Sequence, residues 1–200
     1  MAGGTMNKPR FLSLLLPALL ALAACQSPSA EPPLAGARIG GPFTLTDQDG
    51  RRVTDAQFAG RYRLVYFGYT YCPDVCPTDM QTLGRGLSLF EKQAPALAAK
   101  VQPIFITVDP ARDTPAVLKQ WVAAFHPRLI GLTGSEAQIA AVAKEYAVIY
   151  QRVETPGSTS YLMNHTRTAV LFGPKGEPLA LIPQDETPEA AAAELAKWVK

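Results

Sequence analysis

The stretch Arg63 to Thr70 (RLVYFGYT) constrains this chain most. Between its polar ends it is aliphatic and aromatic without polar alternation, which predicts a strand covered on both faces. Such a strand needs a layer above it and a layer below it, so the fold must place a sheet between helices. The neighbouring segments alternate to match. Pro77 to Gln93 spaces Met80, Leu83, Leu87 and Phe90 at helical intervals, and Val101 to Val108 reads as a second buried strand. Thr114-Pro115 supplies an N-cap and a proline at the first helical position, opening a helix to about Phe125.

Further along, Leu129 to Leu132 reads as a short strand, and Ser135-x-x-Gln138 is a capping box opening a helix to about Tyr146. Strands are predicted at Val148 to Val153, Ala169 to Phe172 and Leu179 to Ile182, the last two joined through Pro174-Lys175-Gly176. Thr187-Pro188 starts a final helix. Near the front, Pro42 to Thr46 and Arg51 to Thr54 flank the turn Asp47-Gln48-Asp49-Gly50 and read as a hairpin. The whole is an α/β, three-layer pattern with a mixed sheet, matching a thioredoxin-like domain with an extra N-terminal hairpin.

The domain begins near Gly41, and residues 41–200 are the expected folded unit. Residues 1–24 read as an export signal. Lys8 and Arg10 precede an apolar run of 14 residues from Phe11 to Ala24, too short for a typical membrane-spanning helix. The run ends in Leu22-Ala23-Ala24-Cys25, which resembles the lipobox of bacterial lipoproteins. The resemblance implies cleavage before Cys25, lipid on its thiol, and an anchor at the periplasmic face of a bacterial membrane. An ordinary secretory signal with an incidental cysteine is the alternative. Residues 25–40, rich in Ser, Pro and Ala, are expected to be anchor and flexible linker. Without Lys8 and Arg10 the chain carries 17 basic and 17 acidic residues and no basic run, which argues against nucleic acid as a partner.

With Cys25 assigned to lipid, Cys72 and Cys76 remain of the three cysteines. A disulfide across three intervening residues closes so short a loop that it adds little stability, so the pair is there for chemistry. Cys72-Pro73-Asp74-Val75-Cys76-Pro77 sits between a buried strand and a helix. The positive end of a helix favours thiolates, the form needed for both metal binding and disulfide exchange. Two thiolates want a third donor. The chain has two histidines: His126, at the end of a helix, reads as structural, whereas His165 precedes the late strand, whose entry faces the active-site loop in a thioredoxin-like sheet. Met80 and Met163 could serve as soft auxiliary donors, but core packing is the favoured reading of both.

From about Phe43 onward the chain resembles the SCO/SenC/PrrC family of copper-binding assembly factors for cytochrome c oxidase. The resemblance is carried by Phe43 to Asp47 (FTLTD), Val65 to Thr70 (VYFGYT), Cys72 to Pro77 (CPDVCP), Phe105 to Pro110 (FITVDP), Arg112 to Pro115 (RDTP) and Gly131 to Gly134 (GLTG). It implies that Cys72, Cys76 and His165 bind copper and that the thiols cycle between dithiol and disulfide. It also implies delivery to subunit II of the oxidase, with other periplasmic copper chaperones as possible partners. Two sulfurs and one imidazole suit Cu(I), whereas Cu(II) would need a further ligand to complete a four-coordinate plane. Asp74, Asp109 and Asn164 are expected around the ligands. Family members commonly carry His where this chain has Tyr71 and Asp where it has Asn164, which bears on affinity and oxidation-state preference. The competing functions are a thiol–disulfide reductase acting on the cysteines of subunit II and, ranked low, a peroxidase built on Thr70 and Cys72.

Overall fold

In the computed structural model, residues 1–4, 31–154, 157 and 160–200 are described. Cys25 and most of the export signal lie outside the described residues. The strands are β1 (Thr44–Asp47), β2 (Arg52–Thr54), β3 (Tyr62–Gly68), β4 (Val101–Thr107), β5 (Ile130–Thr133), β6 (Tyr150–Glu154), β7 (Tyr161–His165), β8 (Ala169–Phe172) and β9 (Pro178–Ile182). The helices are α1 (Val75–Gln93), α2 (Pro95–Ala98), α3 (Pro115–Val122), α4 (Glu136–Glu145) and α5 (Pro188–Trp198), with a 3-10 turn at Asp55–Phe58.

Seven strands form one sheet in the order β2-β1-β5-β4-β3-β8-β9. β3 pairs parallel with β4 and antiparallel with β8, so the sheet is mixed, as the sequence pattern predicts. Every residue of β3 and of β4 is buried. Their alternate side chains supply two separate cores. Leu64 and Tyr66 face Leu83, Leu87 and Phe90 of α1 and Leu195 of α5. Val65 and Phe67 face the opposite side, with Ile139 and Val142 of α4. Fully burying a Leu or Phe side chain stabilises by roughly 1.5–3 kcal/mol, so the helices on both faces hold the sheet in place.

The helix starts follow their caps. Thr114, Ser135 and Thr187 each accept a bond from the backbone amide three residues on, at Val117, Gln138 and Ala190. α1 starts at Val75, two residues ahead of the expected Pro77, which puts Cys76 inside its first turn. α3 stops at Val122, so His126 lies beyond the helix in the loop toward β5.

The strand read at Val148 to Val153 is present as β6. It pairs with β7, a strand not read from the sequence, in a separate two-stranded hairpin outside the main sheet. β7 (YLMNH) lacks a continuous apolar run because one face is open to solvent, so its period-two pattern is legible only with its partner known. The linker also ends sooner than expected, because the compact unit begins at Glu31. The Leu34 amide donates to the Leu179 carbonyl of β9 at 3.0 Å, and the Gly40 amide to the Glu145 carbonyl at 2.8 Å. Residues 31–40 therefore lie against the domain.

Helix α1 packs closely on the loop after α3. A β-carbon at Gly84 would fall 2.5 Å from the Phe125 carbonyl oxygen. Alanine is preferred to glycine in a helix by about 1 kcal/mol, yet the clash decides the sign here. Gly84→Ala is expected to lower stability by about 1–3 kcal/mol, read as an earlier midpoint in urea unfolding.

Candidate metal centre

β3 ends at Gly68, and the chain then turns through Tyr69 and Thr70 into the cysteine loop. Asp113 fixes that turn. Its carboxylate accepts from the Thr70 amide at 3.0 Å, the Thr70 hydroxyl at 2.6 Å and the Thr107 hydroxyl at 2.6 Å. Packing around Gly68 is close, since a β-carbon there would lie 2.9 Å from the Tyr66 ring, 3.0 Å from the Phe105 ring and 3.1 Å from Cys76 Sγ.

The two thiols are unequal. Cys72 is half-buried, while Cys76 is 0% exposed. The Cys76 amide, in the first turn of α1, donates to the Cys72 sulfur at 3.4 Å. The Cys72 thiol is lowered to about 5, chiefly by the hydrogen bond from Cys76 and further by backbone amides of Cys76 and Asp74, against the opposing effect of burial. Cys76 is pushed up, first by the neighbouring Cys72 sulfur and then by burial. The reduced pair therefore holds one proton at neutral pH, with Cys72 as thiolate and Cys76 as thiol.

His165 closes the site from the end of β7. Its Nε2 lies 3.3 Å from Cys76 Sγ. Its Nδ1 lies 3.0 Å from the Thr166 carbonyl oxygen, which can only accept, so Nδ1 carries the ring proton and Nε2 presents a lone pair to Cys76. The ring stands edge-on to Tyr66 and Tyr69, with centroids 6.3 and 6.0 Å away. Two sulfurs and one unprotonated imidazole nitrogen are a donor set suited to a soft ion such as Cu(I). Among the described residues no three His, Cys, Asp or Glu side chains form a ready-made cage. The site is a Cys76–His165 contact with Cys72 bonded alongside.

The other expected residues sit at varied distances from these atoms. The Asp74 side chain is exposed and makes no cap bond; its amide is what reaches Cys72. Asp109 is buried and accepts the Tyr161 hydroxyl at 2.8 Å, so it acts on the hairpin that carries His165. Asn164 pairs with Gln151 on the solvent face of that hairpin. Met80 and Met163 are both buried in the cores. His126 lies past the end of α3. It is buried 3.4 Å from Glu91, and burial holds its pKa below the ordinary value.

Several residues around the site were not singled out from the sequence. Arg112 lies over the Tyr161 ring at 3.6 Å and the Tyr71 ring at 4.9 Å, and donates to the Tyr161 carbonyl at 2.9 Å. Asp79 is fully buried between Tyr66 and Arg167. Asp79 left a trace: it is an acid on the same helical face as Cys76, Met80, Leu83 and Leu87, where a buried partner is required.

The unequal thiols give a direct test. Iodoacetamide should alkylate Cys72 with a rate that rises through about pH 5 and is level by neutral pH, while Cys76 stays protected in the folded protein. Cys76→Ala removes the main donor and should move that midpoint upward toward the free-thiol range. A Cys72 midpoint unchanged by Cys76→Ala would mean that the thiol–thiol bond is not what lowers it.

The SCO1/SenC family model matches residues 31–200. The mitochondrial SCO1 homolog 1 of Arabidopsis thaliana is 42% identical over 146 residues, covering 72% of this chain and 42% of that protein. This chain therefore spans less than half the length of that relative. Protein SenC of Rhodobacter capsulatus is 41% identical over 170 residues, covering 85% of this chain and 73% of the relative. Copper-bound ScoI of Bradyrhizobium japonicum is similar in structure, with a TM-score of 0.72 at 43% identity over 80% of this chain and 99% of that one. The thioredoxin domain of a Bacteroides vulgatus thiol–disulfide oxidoreductase, at 15% identity and a TM-score of 0.57 over 81% of this chain and 96% of that one, shares the fold alone. The architecture is thioredoxin-like, and the chain belongs to the SCO1/SenC family.

Proposed function

We propose that this protein is a copper metallochaperone that carries the ion on Cys72, Cys76 and His165 and hands it to the dinuclear copper site of cytochrome c oxidase subunit II. The observation that carries this reading is the 3.3 Å approach of His165 Nε2 to the Cys76 sulfur, across 89 residues of sequence, with the Cys72 thiolate alongside. The copper-bound ScoI relative supports the choice of metal. A half-exposed thiolate beside a buried thiol also suits release, because an incoming cysteine can take the ion from the open side first. The donor set favours Cu(I); Cu(II) would recruit a water or a further side chain. Asn164 brings no carboxylate charge beside the imidazole, and Tyr71 offers an exposed phenol near Cys72, so neither adds a strong ligand.

The thiol asymmetry favours a second activity on the same atoms. The Cys72 thiolate attacks a disulfide in the partner, the partner's leaving sulfur takes a proton, and a mixed disulfide forms. Cys76, giving up its proton, then attacks the Cys72 sulfur and releases the second partner thiol. The partner gains two electrons and the protein is left with a Cys72–Cys76 disulfide. Reductase action on subunit II would in this way prepare the cysteines that receive copper. A peroxidase is disfavoured because the Thr70 hydroxyl proton is committed to Asp113 at 2.6 Å. Lipid attachment at Cys25 would keep the domain at the periplasmic face of a bacterial membrane, within reach of the oxidase and of other periplasmic copper chaperones.

Anaerobic titration should load one Cu(I) per reduced protein and almost none after disulfide formation. Cys72→Ala or Cys76→Ala should abolish tight binding; unchanged binding in either variant would mean the ion sits elsewhere. Mixing the loaded protein with apo subunit II should move the copper across. His165→Ala separates the two activities: transfer should fall while reduction of a subunit II disulfide persists.

A further inference from the structure

Among the described residues β7 is laddered to β6 alone, which fixes His165 within the hairpin, and the contacts that hold this end of the hairpin against the cysteine-bearing helix come from side chains. Two residues past His165, the Arg167 guanidinium grips the Asp79 carboxylate through Nε–Oδ2 at 2.6 Å and Nη2–Oδ1 at 2.5 Å. Asp79 lies one turn along α1 from Cys76 and is 0% exposed, whereas the Arg167 side chain is 36% exposed. The same carboxylate accepts the Tyr66 hydroxyl at 2.8 Å, and Tyr66 stands edge-on to the His165 ring. The Arg167 carbonyl is held by Gln184 at 3.0 Å, which fixes the backbone between the histidine and β8.

We propose that Asp79 and Arg167 are positioning residues for metal binding, an ion pair that ties the histidine-bearing strand to the cysteine-bearing helix and keeps the imidazole on Cys76. This rests on the reading of Cys72, Cys76 and His165 as copper ligands. The geometry leaves little slack. Two residues of extended chain reach roughly 7 Å, so a fixed Arg167 confines His165 to the neighbourhood of the Cys76 turn. Tyr161 ties the other end of β7, four residues upstream. At the His165 end the strand is paired to Tyr150 and the Thr166 amide donates to the Ile149 carbonyl at 2.8 Å, bonds within the hairpin, so Arg167 is the side chain that ties this end to α1. A bidentate guanidinium–carboxylate pair fixes direction as well as distance, which a lysine at this position would not do. With the buried carboxylate unable to stand alone, opening the pair is disfavoured, so the third ligand is pre-placed rather than recruited when copper arrives.

The test uses the full chain, reduced and copper-free, and then loaded with copper. In the copper-free protein, NMR contacts between the His165 and Tyr69 rings should be present in the wild type and absent in Arg167→Ala. Loaded with Cu(II), Arg167→Ala should lose the imidazole nitrogen splitting in the EPR spectrum and bind copper about 10–100-fold more weakly. The same substitution should cost nothing more in a His165→Ala background, because the ligand it positions is already gone. Arg167→Lys should restore the ring contacts only in part. Should Arg167→Ala fail to fold, Asp79→Asn with Arg167→Gln removes both charges together and carries the same readouts. Wild-type ring contacts and nitrogen splitting in Arg167→Ala, or an equal loss of affinity with and without His165, would overturn the positioning role. Unchanged copper binding in His165→Ala would instead remove the ligand assignment, while the copper-free ring contacts still decide whether Arg167 places the imidazole.

Discussion

The candidate site depends on how a two-stranded hairpin with no hydrogen-bonded ladder to the main sheet is pressed onto the mouth of that sheet. Met163 buries the middle of β7 in the core, and side chains at both ends of the strand complete the hold. At one end the Tyr161 ring is sandwiched between Arg112 and Arg152, at 3.6 and 3.7 Å, while its hydroxyl donates to Asp109. A cation–π contact is worth about 0.5–1 kcal/mol when exposed, as for Arg152, and about 2 kcal/mol when desolvated, which the more buried Arg112 approaches, so this end is held by several modest terms. Arg112 Nη2 is buried with no hydrogen-bond acceptor among the described residues, and the tyrosine faces around the guanidinium offset part of that loss. At the other end the Arg167–Asp79 pair sits beneath the histidine.

Much of the frame was legible in the sequence because it follows from burial. The unbroken apolar run of β3 required cover on both faces, and the caps at Thr114, Ser135 and Thr187 start their helices where they stand. The hairpin was not legible. Its strands are half exposed, and the only partner of each, among the described residues, is the other, so neither carries the continuous apolar signal that marks a central strand. Cys72, Cys76 and His165 could be singled out because few residue types bind soft metals and the chain has few of them. Their surroundings could not, since Arg112, Asp113 and Arg167 look like ordinary surface charges until the fold shows what each one faces. Asp113 was read only as part of a matching stretch, yet it is fully buried and sets the approach to the cysteine loop.

The helix start matters for the same reason. Had α1 begun at Pro77, Cys76 would lie in the loop. Beginning at Val75, it places Cys76 on the buried face of the first turn and aims the Cys76 amide at the Cys72 sulfur. One backbone shift of two residues thus gives two thiols of the same motif opposite characters, one open and ionised, the other enclosed and protonated.

The docking of Leu34 on β9 has a mechanical consequence. Leu179 lies level with the start of β3, by way of the β8 and β9 pairing, whereas the cysteines follow the other end of that strand. The chain therefore enters the domain at the pole remote from the thiols. A pull on the chain at residue 34 would load an edge strand of the sheet and not the cysteine loop at its other end. The docked segment also occupies part of an edge that would otherwise invite pairing with a stranger's strand.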